Sequence, residues 1–244
     1  MADEQNRPIT ARASNAGLTI NGKVILRGIN ITLRGGEFCA LLGPNGGGKT
    51  SLLNLLAHNL TPTQGTIEAN PRTTALLPAE LPETEQFTAL EMTAMGRNPV
   101  LKWWRDYGEA DIAAAKRAMR LTGTAGLENR LFRTLSSGEK QKILIAQALC
   151  RETPLLLLDE PTAHLDPRAA NEIFTLLRDR ADAGACILAA THDLSLAGAY
   201  ADKIVLLKDG QTSYCGPCRE NTCREAVTET FSLKNLPENP FFTH

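Results

Sequence analysis

The sequence predicts an α/β fold: a parallel sheet covered by helices, with an inserted helical subdomain and an antiparallel β subdomain on the N-terminal side. Three observations support this prediction. Short apolar runs typical of buried strands alternate with helical patterns. The stretch from Ala89 to about Glu139 reads as helical and interrupts that alternation. Residues 18–33 show alternating apolar positions and the dipeptide Asn21-Gly22, which is a hairpin signal.

The bulk composition excludes several classes of protein. The chain has 244 residues, of which 43% are hydrophobic and 22% charged, as in ordinary globular proteins. The formal net charge of -1 gives no electrostatic argument for a nucleic-acid partner. No apolar run approaches the ~20 residues that span a bilayer, and the first residues lack a secretory apolar segment. We expect one cytosolic domain over residues 14–244, preceded by a polar tail over residues 1–13.

Apolar periodicity assigns most elements of this fold. The predicted strands are Phe38–Leu42, Thr73–Leu77, Leu155–Leu158, Cys186–Ala190 and Lys203–Lys208. One predicted helix begins near Lys49, and the others are Ala89–Met95, Asp111–Leu121, Ser137–Arg151, Arg168–Arg180 and Leu194–Ala201. The helical subdomain would cover about residues 89–139.

A Gly-rich loop between the first buried strand and its helix has the setting of a phosphate-binding loop. The match to G-x-x-x-x-G-K-[ST] consists of Gly43, Pro44, Asn45, Gly46, Gly47, Gly48, Lys49 and Thr50, with Ser51 next in the helix. The glycines let successive backbone N–H groups face one anion, and the helix N-terminus adds partial positive charge. We expect Lys49 to reach the β- and γ-phosphates of a nucleotide and Thr50 to ligate Mg²⁺. A Gly-rich turn that matches by chance is disfavoured by this strand–loop–helix context.

The apolar strand Leu155–Leu158 ends in two acids, Asp159 and Glu160. Asp159 at the strand tip is predicted to hold the Mg²⁺ shell. Glu160 would lie beside the γ-phosphate and polarise the attacking water as a general base. Two acids after a strand are often only a solvated strand end. The phosphate loop in the same chain favours the catalytic interpretation.

The segment Leu135–Glu139, which reads LSSGE, resembles the LSGGQ signature of ATP-binding cassette (ABC) proteins. It lies between the phosphate loop and the acidic pair, which is the family's order. Ala163–Asp166 resembles the family's D-loop, and Thr191–Asp193 resembles the segment with its switch histidine. The resemblance extends over about residues 18–231 and implies a P-loop NTPase fold of the ABC type.

This resemblance implies a mechanism in which two copies associate head to tail, with two ATP molecules between them. One copy would hold each ATP and its Mg²⁺ through Lys49, Thr50, Asp159, Glu160 and His192, of which Lys49, Glu160 and His192 are catalytic and Thr50 and Asp159 bind the metal. The other copy would close over the γ-phosphate with Ser136, Ser137, Gly138 and Glu139, beside Asp166 of the D-loop. The chemistry agrees, since Ser136 leads a helix whose N–H groups suit an anion and His192 is an easily oriented donor.

The segment Met95–Pro99, which reads MGRNP, resembles the GRxP segment of importers for iron-siderophore, haem and cobalamin. This implies membrane permease subunits as partners, an extracytoplasmic solute-binding protein acting indirectly, and a peripheral location at the cytoplasmic face of the membrane. Trp103 and Trp104 follow, and they suit either an interface or ordinary packing. The alternatives are a soluble ABC ATPase without a permease, an ATPase of another ABC transporter class, or a non-hydrolysing binding module.

The chain departs from the family pattern at three positions. Ala79 stands where the family usually has a Gln that senses Mg²⁺ and water; Glu80 is adjacent and Gln86 is too distant without a rearranged loop. Ile20 occupies the place of an aromatic that stacks on adenine, so we predict weaker discrimination of adenine. Ser137 replaces a Gly, which is tolerable only if its φ is negative.

The six cysteines are too few for a disulfide scaffold at this length. Cys39, Cys150 and Cys186 lie in apolar segments and are predicted to belong to the core. Cys215 and Cys218 mimic a redox CxxC motif, with Cys223 close behind. They follow a C-terminal strand of another fold, and three thiols without a fourth ligand make a weak zinc site. A redox or metal role is therefore the less favoured interpretation.

Overall fold

A computed structural model describes residues 7–79, 86–100 and 107–232, apart from the side chains of residues 99 and 100. Its strands are β1 (Ile9–Ile20), β2 (Lys23–Arg34), β3 (Phe38–Leu42), β4 (Gln64–Ala69), β5 (Thr74–Leu77), β6 (Leu155–Asp159), β7 (Cys186–Ala190), β8 (Lys203–Lys208) and β9 (Gln211–Pro217). Its α-helices are α1 (Lys49–Leu56), α2 (Ala89–Ala94), α3 (Glu109–Leu121), α4 (Ser137–Cys150), α5 (Pro167–Asp182), α6 (Leu194–Tyr200) and α7 (Asn221–Phe231). Short 3₁₀ helices cover Pro71–Thr73, Met95–Val100 and Phe132–Thr134.

The central sheet has six described strands in the order β5-β6-β7-β3-β8-β9. All neighbouring pairs are parallel except β8 and β9. Strands β3, β6 and β7 are buried along their whole length, as their continuous apolar runs predict, and apolar clusters cover both faces of the sheet. Because β3, β7 and β6 are neighbours, the loops at their carboxyl ends meet at one edge, where ligands bind in open α/β sheets.

A second, antiparallel sheet is formed by β2, β1 and β4. The predicted hairpin is confirmed: Asn21 and Gly22 join β1 to β2 with φ angles of 50° and 76°. The predicted polar tail is wrong for residues 9–13, because β1 begins at Ile9 and buries Ala11 and Ala13 against the core. Alternating alanines carry only a weak apolar signal, so the sequence pattern alone does not indicate a strand here. The first six residues lie outside the described part of the chain.

Helices α2 and α3 pack against α4 in the predicted helical stretch. The GRxP-like segment is internal to this packing: a Cβ on Gly96 would lie 2.0 Å from the carbonyl oxygen of Gln147. Arg97 joins two helices, since its Nε lies 3.1 Å from Asp111 and its guanidinium donates to the carbonyl of Cys150 at 3.3 Å. Trp103 and Trp104, the predicted interface aromatics, lie outside the described residues.

Candidate active site

The Gly-rich loop connects β3 to α1, as the sequence predicts. A side chain is disfavoured at two of its glycines, both by a positive φ and by a close neighbour. A Cβ on Gly43 (φ 150°) would lie 2.3 Å from the carbonyl oxygen of Leu207, and a Cβ on Gly48 (φ 98°) would lie 2.5 Å from the Leu26 side chain. Gly48 caps α1 without a side-chain hydrogen bond, so the first N–H groups of the helix keep their capacity to bind an anion.

Lys49 lies beneath this loop and is only 7% exposed. Its Nζ donates to the carbonyl oxygens of Gly43 at 2.8 Å and Pro44 at 3.2 Å, and it lies 3.5 Å from Nε2 of His192. Burial lowers the pKa of Lys49, while the carboxylates of Glu160 and Asp159 act in the opposite direction. A bound anion would favour the charged ammonium, so the residue fits a phosphate ligand.

Thr50 and Asp159 form the next contact in the same place. The hydroxyl of Thr50 donates to Oδ2 of Asp159 at 2.6 Å, and Asp159 is 3% exposed at the end of β6. A hydroxyl and a carboxylate are oxygen ligands of the kind that Mg²⁺ takes. The pair predicted to hold the metal is therefore brought together in a geometry that fits a hard cation.

Glu160 and His192 complete the site. Nε2 of His192 lies 3.0 Å from Oε1 of Glu160, yet this buried oxygen receives no aligned hydrogen bond from any described residue. Burial raises the pKa of Glu160; Lys49 opposes the rise and Asp159 adds to it. Burial also lowers the pKa of His192, and Lys49 acts in the same direction. The imidazole is thus neutral at neutral pH, which makes the contact a close approach rather than an ion pair.

These groups share one cleft of about 400 Å³. Its lining consists of Lys23, Ile25, Asn45, Gly46, Gly48, Lys49, Thr50, Ser51, Ala79, Asp159, Glu160 and His192. Gly43, Pro44 and Gly47 lie behind that surface and support it, because the carbonyl of Pro44 accepts from both Lys49 and the N–H of Gly47.

Sequence reasoning missed two residues of the cleft, Lys23 and Ile25. Lys23 pairs with Ile20 across the β1–β2 hairpin, and its ammonium forms no ion pair with a described residue. Ile20 is 40% exposed and does not line the cleft. Successive side chains of a strand point to opposite faces, so residues 23 and 25 of β2 lie on the same face. This alternation is the sequence signal that indicates both residues together.

Ala79 lines the cleft with a methyl group and offers no side-chain oxygen to a metal. Gln86 is exposed and is not part of the lining. Glu80, the alternative ligand, lies outside the described residues.

The signature-like residues lie apart from this cleft, at the start of α4. Ser136 caps the helix: its hydroxyl accepts from the N–H of Glu139 at 3.2 Å, and the Glu139 carboxylate accepts from the N–H of Ser136 at 2.8 Å. Ser136 and Ser137 are exposed, and Ser137 has negative φ, as its position requires. Gly138 packs on the D-loop, where a Cβ would lie 3.1 Å from the carbonyl oxygen of His164. Asp166 is exposed and caps α5 through the N–H of Ala169.

The six cysteines are all free thiols, and they differ in burial. Cys39, Cys150 and Cys186 are buried, which confirms their predicted place in the core. Cys215 is exposed on β9, whereas Cys218 and Cys223 are buried. Within the described ranges no group of three His, Cys, Asp or Glu residues is arranged to hold a metal ion.

Comparison with known proteins settles the family. The profile described as ABC transporter matches residues 26–163, which includes the phosphate loop, the signature-like segment and the acidic pair. The chain belongs to the ABC transporter family. It is an ABC ATPase, and the predicted P-loop fold of the ABC type is confirmed. No described helix of this ABC ATPase is long and apolar enough to cross a membrane.

Several relatives of this ABC ATPase have assigned roles. It is 36% identical to the hemin import ATP-binding protein HmuV of Streptomyces coelicolor, over 91% of this chain and 83% of that protein. It is 32% identical to the petrobactin import ATP-binding protein FpuC of Bacillus anthracis, over 89% of this chain and 86% of that protein. A metal-chelate type ABC transporter solved in an inward-facing conformation matches with a TM-score of 0.83 and 30% identity, covering 92% of this chain and 89% of that one.

Proposed function

We propose that the chain is the ATP-hydrolysing subunit of an importer for an iron-siderophore, haem or cobalamin. The observation that carries the proposal is one cleft lined by Lys49, the hydrogen-bonded Thr50–Asp159 pair, Glu160 and His192, with His192 3.5 Å from Lys49 and 3.0 Å from Glu160. Relatives named for the import of hemin and petrobactin, and a structural relative described as a metal-chelate type transporter, support this solute class.

Each group in the cleft has a definite role in this proposal. Lys49 and the N–H groups at the start of α1 bind the β- and γ-phosphates. Thr50 and Asp159 hold Mg²⁺, which neutralises phosphate charge when bound. Glu160 accepts the proton of the attacking water, since its raised pKa makes it a better base than an ordinary carboxylate. The neutral His192 donates a hydrogen bond to a γ-phosphate oxygen.

The remaining contacts come from a second copy of the chain. Ser136 and Ser137 at the start of α4 are exposed, and the N–H groups at this helix N-terminus suit a γ-phosphate held by the other copy. The assembly is thus a two-fold nucleotide sandwich, bound to permease subunits at the cytoplasmic face of the membrane. An extracytoplasmic solute-binding protein delivers the chelate to that permease.

The test is co-purification in mild detergent from the native membrane, with partners identified by mass spectrometry. The proposal predicts a permease of many membrane-spanning helices recovered in amounts equal to this chain, and a metal chelate or cobalamin bound by its extracytoplasmic partner. The Lys49→Ala variant is the matched control, because it disables the nucleotide cleft and should still recover the permease. Recovery of the chain without any membrane partner would contradict the importer assignment and favour a soluble ABC ATPase.

A further inference from the structure

A buried amide connects the start of α4 to the proposed catalytic base. Gln141 lies in the second turn of α4 and is 1% exposed. Its Nε2 donates to the carbonyl oxygen of Glu160 at 3.3 Å and to that of Pro161 at 3.0 Å. Both acceptors are backbone carbonyls of the loop after β6, so this amide joins the buried side of α4 directly to the backbone of Glu160.

The backbone of Glu160 needs such support. Glu160 has a φ of 49°, in the left-handed region, which is unfavourable for a residue with a side chain. Conformations of this kind persist where surrounding bonds fix them, and they cluster at functional sites. Here the N–H of Glu160 donates to the carbonyl of Ala190 at 3.0 Å, and its carbonyl accepts from the N–H of Ala163 at 3.0 Å as well as from Gln141.

The same helix also carries the signature-like residues. Ser136 caps α4 one turn before Gln141, and Gly138 packs against the carbonyl oxygen of His164 in the D-loop. The start of α4, the D-loop and the backbone of Glu160 are therefore joined by direct contacts within one chain.

We propose that Gln141 is a positioning residue for hydrolysis: its amide fixes the carboxylate of Glu160 in the cleft of its own chain. This inference rests on the proposed function, since it requires Glu160 to be the base.

The test compares Gln141→Met with Gln147→Met. Methionine has a similar length and no N–H donor. Gln147 is the matched control, since its Nε2 also donates from α4 to a backbone carbonyl, that of Met92 at 2.7 Å, far along the helix from Glu160. We expect Gln141→Met to lower kcat about 10- to 100-fold through misplacement of the base, with the Kd for ATP unchanged within about twofold. Gln147→Met should keep kcat within about twofold of wild type.

A second measurement separates positioning from general loss of structure. In the Glu160→Gln background the base is already absent, so adding Gln141→Met should leave the residual hydrolysis unchanged within about twofold. The proposal is overturned if Gln141→Met hydrolyses at the wild-type rate, if both methionine variants lose kcat equally, or if the double variant loses a further factor of ten. Failure of the proposed function would look different, because Glu160→Gln itself would then have no effect.

Discussion

The cleft at the carboxyl ends of β3, β6 and β7 and the surface at the start of α4 carry the two sets of family motifs, but only the cleft is assembled within one chain. In the cleft, Lys49 and Asp159 are buried and contact other polar groups of the site. At the start of α4, Ser136 and Glu139 bond chiefly to each other, with Arg130 3.3 Å from Glu139. Burying charge is unfavourable without a partner, and these contacts supply partners for Lys49 and Asp159. The exposed α4 surface is suited to contact a ligand held elsewhere.

The largest effect expected from this contrast is at Glu160. Glu160→Gln keeps the size of the side chain but removes the base, so hydrolysis should fall about 1000-fold or more in a steady-state phosphate-release assay. Glu172→Gln is the control, because Glu172 is an exposed acid of α5 that pairs with Arg168 on the surface. Hydrolysis by Glu160→Gln at more than a tenth of the wild-type rate would remove Glu160 from the base role.

The next pair of variants distinguishes the role of the cleft in binding ATP from the role of the α4 surface in hydrolysis. Lys49→Ala should weaken ATP binding to the isolated chain about 100-fold, because a charge-assisted contact to phosphate is lost. Ser137→Asp places a carboxylate at the first position of α4, where an acid favours the helix but repels phosphate. It should leave that binding within about twofold of wild type and still lower hydrolysis about 100-fold. Equal loss of ATP binding in both variants, measured by calorimetry, would mean that both regions hold nucleotide in one chain.

A smaller effect is expected on thermal stability, because a buried carboxylate at Glu160 destabilises the folded chain. The pKa of Glu160 is raised by burial, so this acid contributes stability below its unfolded pKa and loses that contribution as pH rises through its folded pKa. Glu160→Gln should therefore unfold at a higher temperature than wild type at pH 7.5, and the gap should narrow as the pH falls toward the ordinary pKa of a glutamic acid, about 4. Glu172→Gln should unfold at the wild-type temperature at both pH values. A difference between Glu160→Gln and wild type that does not change with pH would contradict a raised pKa at Glu160.

The smallest effect is expected on the choice between ATP and GTP, in the part of the cleft lined by Lys23 and Ile25. Lys23 and Ile25 line it, and no aromatic side chain of the described residues does, so none of those residues stacks on a base. ATP and GTP should bind within about threefold of each other, and Ile20→Tyr, which places an aromatic ring beside the lining residue Lys23, should strengthen ATP binding by roughly 0.5–1.5 kcal/mol. Val24→Tyr, on the neighbouring exposed position of the hairpin, is the control. A strong preference of the wild type for ATP would defeat this prediction.

Local sequence patterns predicted the parts of the fold that depend on local physics. Continuous apolar runs located Cys186–Ala190 and the interior of Lys203–Lys208, and both strands have the predicted bounds, because strands buried on both faces are apolar along their buried length. Strand β4 went unassigned, since Gln64–Ala69 is mostly polar and is held by its partner β1. The motifs located the cleft residues in the same way, because each lies at the end of a strand or the start of a helix.

What sequence reasoning missed depends on contacts between distant segments. Gln141 meets the carbonyls of Glu160 and Pro161 only because α4 lies against the loop after β6. Lys23 enters the cleft only because the hairpin crosses the start of α1, where Gly48 permits close approach to Leu26. Gly96 and Arg97 are likewise engaged within the chain, by α4 and Asp111, and the short GRxP-like pattern gives no sign of these contacts.

The most direct test of the account is the mass of the Glu160→Gln variant by sedimentation, with and without ATP and Mg²⁺. The account predicts a monomer without nucleotide and a dimer holding two ATP molecules with it. Adding Ser137→Asp should return the variant to a monomer that still binds ATP in the Lys49 cleft. A Glu160→Gln chain that binds ATP and stays monomeric at every concentration would contradict the claim that two copies complete each site.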